Sequence, residues 1–335
     1  MSTYRHALPQ LSDRIFLTDG GIETTLIHHE GLELPHFAAF VLLDDDAGRA
    51  ALRRYFEPYL RIARDAGLGI VLESATWRAN RDWGNLLGYS GAALADLNGA
   101  AVELLAELRA EYATAPTPIV LSGCIGPRGD GYQPESLLTP TQAEDYHAEQ
   151  IAAFRASDAD LVTAITMTHT GEAIGIARAA QAHGLPSVVS FTVETDGRLP
   201  SGEPLGEAIA TVDAETGGAP AYYMVDCAHP THVDTTLITG EGWNRRVRGL
   251  RANASTMSHA ELDAAESLDT GDIEDLGARY AALRGELPQL SVLGGCCGTD
   301  PRHIYAILRH CTRGGPHGRG RQTAGSPTRA ALIDR

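Results

Sequence analysis

Short runs of Val, Ile and Leu recur along the chain, each closing on small or polar residues and each followed by a stretch whose apolar positions return every three to four residues. The runs lie at 15–21, 69–77, 119–126, 160–167, 186–193, 221–227, 246–253 and 291–297. Helix-period stretches lie between them at 46–66, 92–112, 141–157, 171–183, 204–216, 272–284 and 300–311. Strands apolar on both faces need cover on both faces, and a strand followed by a helix eight times over predicts a (β/α)8 TIM barrel, an α/β fold in a single domain over 1–312. The crossover after Cys227 is short and 243–268 is polar and irregular, so the seventh strand has the faintest signature. A doubly wound open sheet is the alternative. It gains no support from the first strand, where Asp19-Gly20-Gly21 runs into Ile22-Glu23-Thr24-Thr25 in place of a Gly-x-Gly-x-x-Gly turn. From 313 to 335 the composition shifts to Gly, Arg, Ser and Pro, which predicts a disordered tail.

Composition narrows the function. The 335 residues suit one barrel of about 250 residues with insertions, and 43% hydrophobic residues are enough for a core. The 43 acidic residues outnumber 27 basic ones, all arginine, for a net charge of −16, which argues against nucleic acid as a partner because phosphate binding needs a basic face. No apolar run reaches the roughly 18 residues of a membrane span, and residues 1–14 lack the apolar core of a leader, so the expectation is a cytoplasmic protein with no membrane partner. Nothing in the sequence marks a subunit interface, and a homo-oligomer stays open. The five cysteines form an odd set in a chain too large to need staples, which predicts reduced thiols.

Three of these cysteines stand where a parallel barrel keeps its chemistry, at strand C-termini. Cys227 closes the sixth strand in Val225-Asp226-Cys227-Ala228-His229, and Cys296 and Cys297 close the eighth in Gly294-Gly295-Cys296-Cys297-Gly298-Thr299. Thiolates are soft ligands, three of them suit a tetrahedral zinc ion with one open position, and the flanking glycines allow the sharp turn that two adjacent ligands require. Cys124 or His229 as a fourth ligand would instead make a closed, structural site. Cys124 and Cys311 otherwise read as packing residues.

These motifs resemble the homocysteine S-methyltransferase family, the zinc-dependent barrels that include betaine–homocysteine and S-methylmethionine–homocysteine methyltransferases and the homocysteine-binding module of cobalamin-dependent methionine synthase. The resemblance runs from about Arg14 to Cys311. It rests on Leu17-Thr18-Asp19-Gly20-Gly21, Glu73-Ser74-Ala75-Thr76-Trp77, Gly126-Pro127-Arg128-Gly129-Asp130-Gly131-Tyr132, Ser190-Phe191-Thr192-Val193, Asp226-Cys227 and, most specifically, Gly294-Gly295-Cys296-Cys297-Gly298-Thr299. It implies zinc as cofactor on Cys227, Cys296 and Cys297, a small-molecule thiol acceptor, most simply homocysteine, and a small cationic methyl donor: S-methylmethionine, S-adenosylmethionine or betaine. It also implies that Asp19 helps hold the amino-acid thiol.

The residues add further expectations. Asp19, with Gly20 beside it, stands where a substrate ammonium would pair with a carboxylate. Ser74 and Thr76, two apart on one strand face, are candidate hydroxyl contacts. Trp77, Tyr132 and Tyr222 are candidates for an aromatic wall against a cationic donor. Two positions depart from the family pattern. Ile165 stands where the family carries a Glu that binds the substrate ammonium, with Glu194 as the candidate replacement, and Asp226 stands where the family has Asn. A different thiol or selenol substrate, a demethylase, and a barrel that binds zinc or thiol without turnover are the competing readings.

Overall fold

In the computed structural model, eight parallel strands pair in chain order and the eighth pairs back to the first, closing the barrel. The structure describes residues 2–132, 137–265 and 267–312, so the tail expected from 313 onward lies outside the described residues. The strands are β1 (Phe16–Leu17), β2 (Gly69–Glu73), β3 (Ile119–Ile125), β4 (Leu161–Met167), β5 (Ser187–Thr192), β6 (Pro220–Asp226), β7 (Val247–Ala252) and β8 (Val292–Gly295). The helices are α1 (Asp46–Ala66), α2 (Arg81–Leu86), α3 (Gly91–Tyr112), α4 (Pro140–Ala156), α5 (Thr170–Ala182), α6 (Leu205–Thr216), α7 (Pro230–Ile238), α8 (His259–Asp263), α9 (Ile273–Glu286) and α10 (Pro301–Thr312). Local chemistry sets several of their ends. Asp45 caps α1 by accepting from the Gly48 N–H at 2.7 Å, left-handed Gly67 ends it, and Thr139 with Gln142 forms a capping box on α4.

All eight expected strands are present, the seventh included. β1 is only two residues long, and β8 stops at Gly295, which leaves Cys296 and Cys297 in the loop beyond it. α2, α7 and α8 fall in stretches read as loop. They span six, nine and five residues, too short for a helical period to stand out. No helix among the described residues is long and apolar enough to cross a membrane.

Strand alternation sorts the side chains into two cores. Leu17, Ile70, Leu72 and Leu121 face outward into the layer beneath the helices, whereas Phe16, Val71, Val120, Leu161, Val188 and Val292 face inward and fill the floor of the barrel. Tyr222 belongs to this floor, not to the mouth; its place corrects the expectation of an aromatic wall residue there. The N-terminal segment seals the floor from below, with Tyr4 and Leu8 packed against it. Asp160 ties that segment down: its fully buried carboxylate accepts from the backbone N–H groups of Thr3 (2.7 Å), Tyr4 (2.7 Å) and Leu121 (3.0 Å) and pairs with Arg109 at 2.9 Å. Asp160→Ala would strand these donors and a nearly buried guanidinium. The expected loss is about 3 kcal/mol of stability, read as a lowered urea midpoint.

Candidate active site

A cavity of about 480 Å³ opens at the C-terminal ends of the strands. Cys227, Cys296 and Cys297 lie in its wall, and their sulfurs all fall within 4.8 Å of one another. Backbone geometry produces this convergence. Cys227 adopts a left-handed φ of 52°, rare for a residue with a side chain, which swings its sulfur across the mouth. Its N–H donates to the Arg251 carbonyl at 3.1 Å, and its own carbonyl accepts from Asn253 Nδ2 at 2.9 Å and His259 Nε2 at 2.6 Å. The Cys296 N–H donates to the Ala252 carbonyl at 2.9 Å. A β-carbon on Gly294 would collide with the Thr18 hydroxyl, so only glycine lets β8 approach β1 closely enough to deliver the cysteine pair.

The Cys227 and Cys296 sulfurs are paired as a disulfide, with Cα atoms 5.4 Å apart, which corrects the expectation of five reduced thiols at this pair. Cys124, Cys297 and Cys311 are free. Reduction of the pair yields three thiolates in one cluster, the soft donor set that selects zinc, with the cavity side open for a fourth ligand. Among the described residues neither Cys124 nor His229 joins this cluster. Cys124 is buried on β3, and the His229 ring is engaged with Thr231 at 2.8 Å at the start of α7.

Above the sulfurs hangs the loop that follows β3. The Tyr132 hydroxyl donates to Cys227 Sγ at 3.4 Å and lies 3.7 Å from Cys297 Sγ, while its ring packs on His259 at 4.3 Å between centroids. The loop is anchored by Glu172, near the start of α5, whose carboxylate accepts from the Arg128 N–H at 2.7 Å and from His147 Nε2 at 2.9 Å, with His169 Nε2 at 3.6 Å. Burial alone would raise the Glu172 carboxyl; the hydrogen bonds from His147 and His169 and the Arg128 N–H outweigh it and hold it at about 2. Trp77 lines the cavity, with the Arg78 guanidinium 4.2 Å from its ring centroid.

The expected substrate contacts separate into distinct roles. Asp19 lines the cavity, but its carboxylate pairs with Arg251 at 2.7 Å and accepts from the Tyr55 hydroxyl at 2.9 Å. Burial still raises its carboxyl, against the pull of Arg251. The Gly20 carbonyl accepts from the same Tyr55 hydroxyl at 2.9 Å. The Ser74 and Thr76 hydroxyls lie 2.7 Å apart and are turned to β3: Thr76 donates to the Cys124 carbonyl and Ser74 accepts from the Cys124 N–H. Glu194, 37% exposed at its side chain, meets the site only through His259 Nδ1, at 3.4 Å. Arg251, His259 and Glu23 line the cavity without having been given a role from the sequence, and Glu73 entered there only as part of a motif. A charged residue alternating into the interior of a buried strand was the available signal for Arg251.

A model of the homocysteine S-methyltransferase family matches residues 16–311. The chain belongs to this family. No curated protein matches its sequence significantly. Among solved structures it is similar to the homocysteine methyltransferase MmuM from Escherichia coli: the oxidized form at 20% identity and a TM-score of 0.73, over 92% of this chain and 99% of that one, and the metallated form at 18% and 0.70, over 91% and 98%. At these identities the likeness is one of fold.

In this homocysteine S-methyltransferase family member, the two positions expected to depart from the family pattern, Asp226 and Ile165, lie close together. The Asp226 carboxylate accepts from the Thr166 N–H at 3.1 Å, the Thr166 hydroxyl at 3.0 Å and the Ser190 hydroxyl. The Thr166 N–H and the Ser190 hydroxyl converge on Oδ1 and the Thr166 hydroxyl on Oδ2, so both carboxylate oxygens are engaged. The bonds hold Thr166 at φ 63°, beside Ile165 in the cavity wall. Ile165 is buried and offers the cavity no charge in its own place.

The Glu172 anchor predicts an acid transition. A carboxyl depressed from 4.5 to about 2 contributes stability that is fully present above about pH 4.5 and is lost as pH falls toward 2. Urea midpoints measured across that window should fall more steeply for the native protein than for Glu172→Gln.

Proposed function

We propose that this protein is a zinc-dependent S-methyltransferase that moves a methyl group from a small cationic donor (S-methylmethionine, S-adenosylmethionine or betaine) to a thiol, homocysteine giving methionine. The observation that carries the reading is the convergence of the Cys227, Cys296 and Cys297 sulfurs on one wall of the strand-end cavity. Zinc held by these three residues supplies a Lewis acid that keeps a bound thiol deprotonated and nucleophilic at neutral pH.

The chain's own residues do the rest. Tyr132 and Trp77 form an apolar wall that excludes water and favours a cation over their π faces. His259 and Asn253 brace the Cys227 carbonyl and so hold its sulfur in the strained geometry described above. Asp19, Gly20, Ser74 and Thr76 shape the wall of the acceptor site, and Glu194 fixes the His259 ring. In the transfer the donor's methyl bond breaks with its electron pair returning to the donor heteroatom, and a thiolate lone pair forms the new S–CH3 bond.

The deciding experiment supplies reduced, zinc-loaded protein with homocysteine and each donor in turn, and detects methionine by mass spectrometry. Turnover with one donor is the expected result; bound zinc without methionine from any donor would overturn the assignment. Cys296→Ala should lower zinc content from about one per chain to near zero and reduce methionine formation to background. Cys311→Ala, far from the cluster on α10, should leave zinc content unchanged by metal analysis.

A further inference from the structure

The cavity contains a carboxylate that the fold does not use. Glu23 follows the first strand, lies half-buried in the cavity wall and, among the described residues, has no hydrogen bond or ion pair with another residue; its carboxyl accepts only from its own backbone N–H. It lies close enough to Asp19, Arg78 and Arg251 to feel their charges, and Cys297 feels its own. Both neighbouring cations are otherwise engaged. Arg251 is committed to Asp19 at 2.7 Å, and Arg78 donates to the Gly129 carbonyl at 2.9 Å with its guanidinium between the rings of Trp77 and Trp83.

A second, independent observation is another cavity carboxylate with an oxygen left over. Glu73, only 5% exposed, also lines it, and its Oε2 has no hydrogen-bond partner. Six acidic side chains, Asp19, Glu23, Glu73, Asp130, Asp263 and Asp269, thus line the cavity with two arginines, Arg78 and Arg251, and the cysteine cluster lies in the same wall. Burial pushes the Glu23 carboxyl up to about 7, against the weaker pull of its own backbone N–H and of the Arg78 and Arg251 charges.

We infer that Glu23, and not Asp19, receives the ammonium group of an amino-acid acceptor whose thiol sits at the cysteine cluster. The inference deepens the proposed transferase reading and rests on it. Asp19 has its charge matched by Arg251, whereas Glu23 presents an unmatched carboxylate to the same cavity. A primary ammonium donates charge-assisted hydrogen bonds to such an oxygen, whereas a sulfonium centre or betaine's quaternary nitrogen has no N–H to give; S-methylmethionine and S-adenosylmethionine carry an α-ammonium of their own, so the test reads the acceptor's KM and the donor's KM separately. Ile165, across the wall, offers no competing charge.

The test compares homocysteine with 4-mercaptobutanoate, the same skeleton without the amine, in zinc-loaded native protein, Glu23→Gln and Glu23→Asp. Loss of one charge-assisted contact should raise the homocysteine KM of Glu23→Gln about tenfold to a hundredfold, shift KM for the amine-free thiol by less than about twofold, and leave Glu23→Asp between the two. Calorimetric titration of homocysteine into the same three proteins should show the same ranking of Kd. Equal effects on both thiols, no effect on either, or a change confined to the donor's KM would each overturn the assignment. Native protein that binds homocysteine but makes no methionine would refute the transferase reading, while the calorimetric ranking would still decide the role of Glu23. Native protein that neither binds nor methylates homocysteine would overturn both.

Discussion

The site depends on one buried ion pair. Arg251 enters the barrel interior from β7 with only 5% of its surface exposed, and its guanidinium meets Asp19 from the end of β1. Its backbone carbonyl accepts the Cys227 N–H, and in register it stands beside Gly294, two residues before Cys296. One residue therefore ties together β1, the end of β6 and the start of the cysteine loop. Burial opposes the charge on Arg251, but Asp19 and Glu73 outweigh it and hold the proton firmly in place. Removing either partner would leave an unpaired buried charge, which is why such pairs resist piecemeal change even where their net contribution to stability is small.

The barrel was legible in the sequence because parallel strands covered on both faces leave continuous apolar runs, and no other common fold repeats such runs eight times with helices between. The cysteine cluster was legible because Gly-Gly-Cys-Cys-Gly at a strand end has no packing explanation. The substrate contacts were not, for a physical reason. Whether Asp19 is free to bind a ligand depends on Arg251, 232 positions away in sequence, and whether Ser74 and Thr76 are available depends on the backbone of the adjacent β3. A polar residue at a strand end announces only that it is near the mouth; its partners are set by closure of the barrel. Tyr222 shows the same limit in reverse, since strand register alone sends it to the floor.

The geometry also relates a backbone distortion to a substitution that spacing could only record. Thr166 is held left-handed between β4 and β6 by Asp226, with the Ser190 hydroxyl completing the carboxylate's donor set. The β4–β5 pairing shifts register between Ala164 and Met167, so Ile165 sits in a local bulge in the cavity wall. The shape of that wall is thus set partly by Asp226, which itself lies adjacent to a cysteine of the cluster.

The balance of charge in the cavity bears on rate as well as binding. In the proposed reaction a cationic donor and an anionic thiolate become two neutral species, so charge is lost on the way to the transition state. A wall that is strongly anionic would stabilise the cationic donor more than the transition state and thereby slow the step, since only differential stabilisation accelerates chemistry. Two features of the cavity limit that effect. Asp19 is matched by Arg251, and burial pushes the Glu73 carboxyl up to about 7, so that its charge is only partly developed at neutral pH. A buried arginine beside a thiolate site thus has a chemical rationale in addition to its structural one. It matches the Asp19 carboxylate, so that less of the negative charge around the reacting atoms is left without a counter-charge.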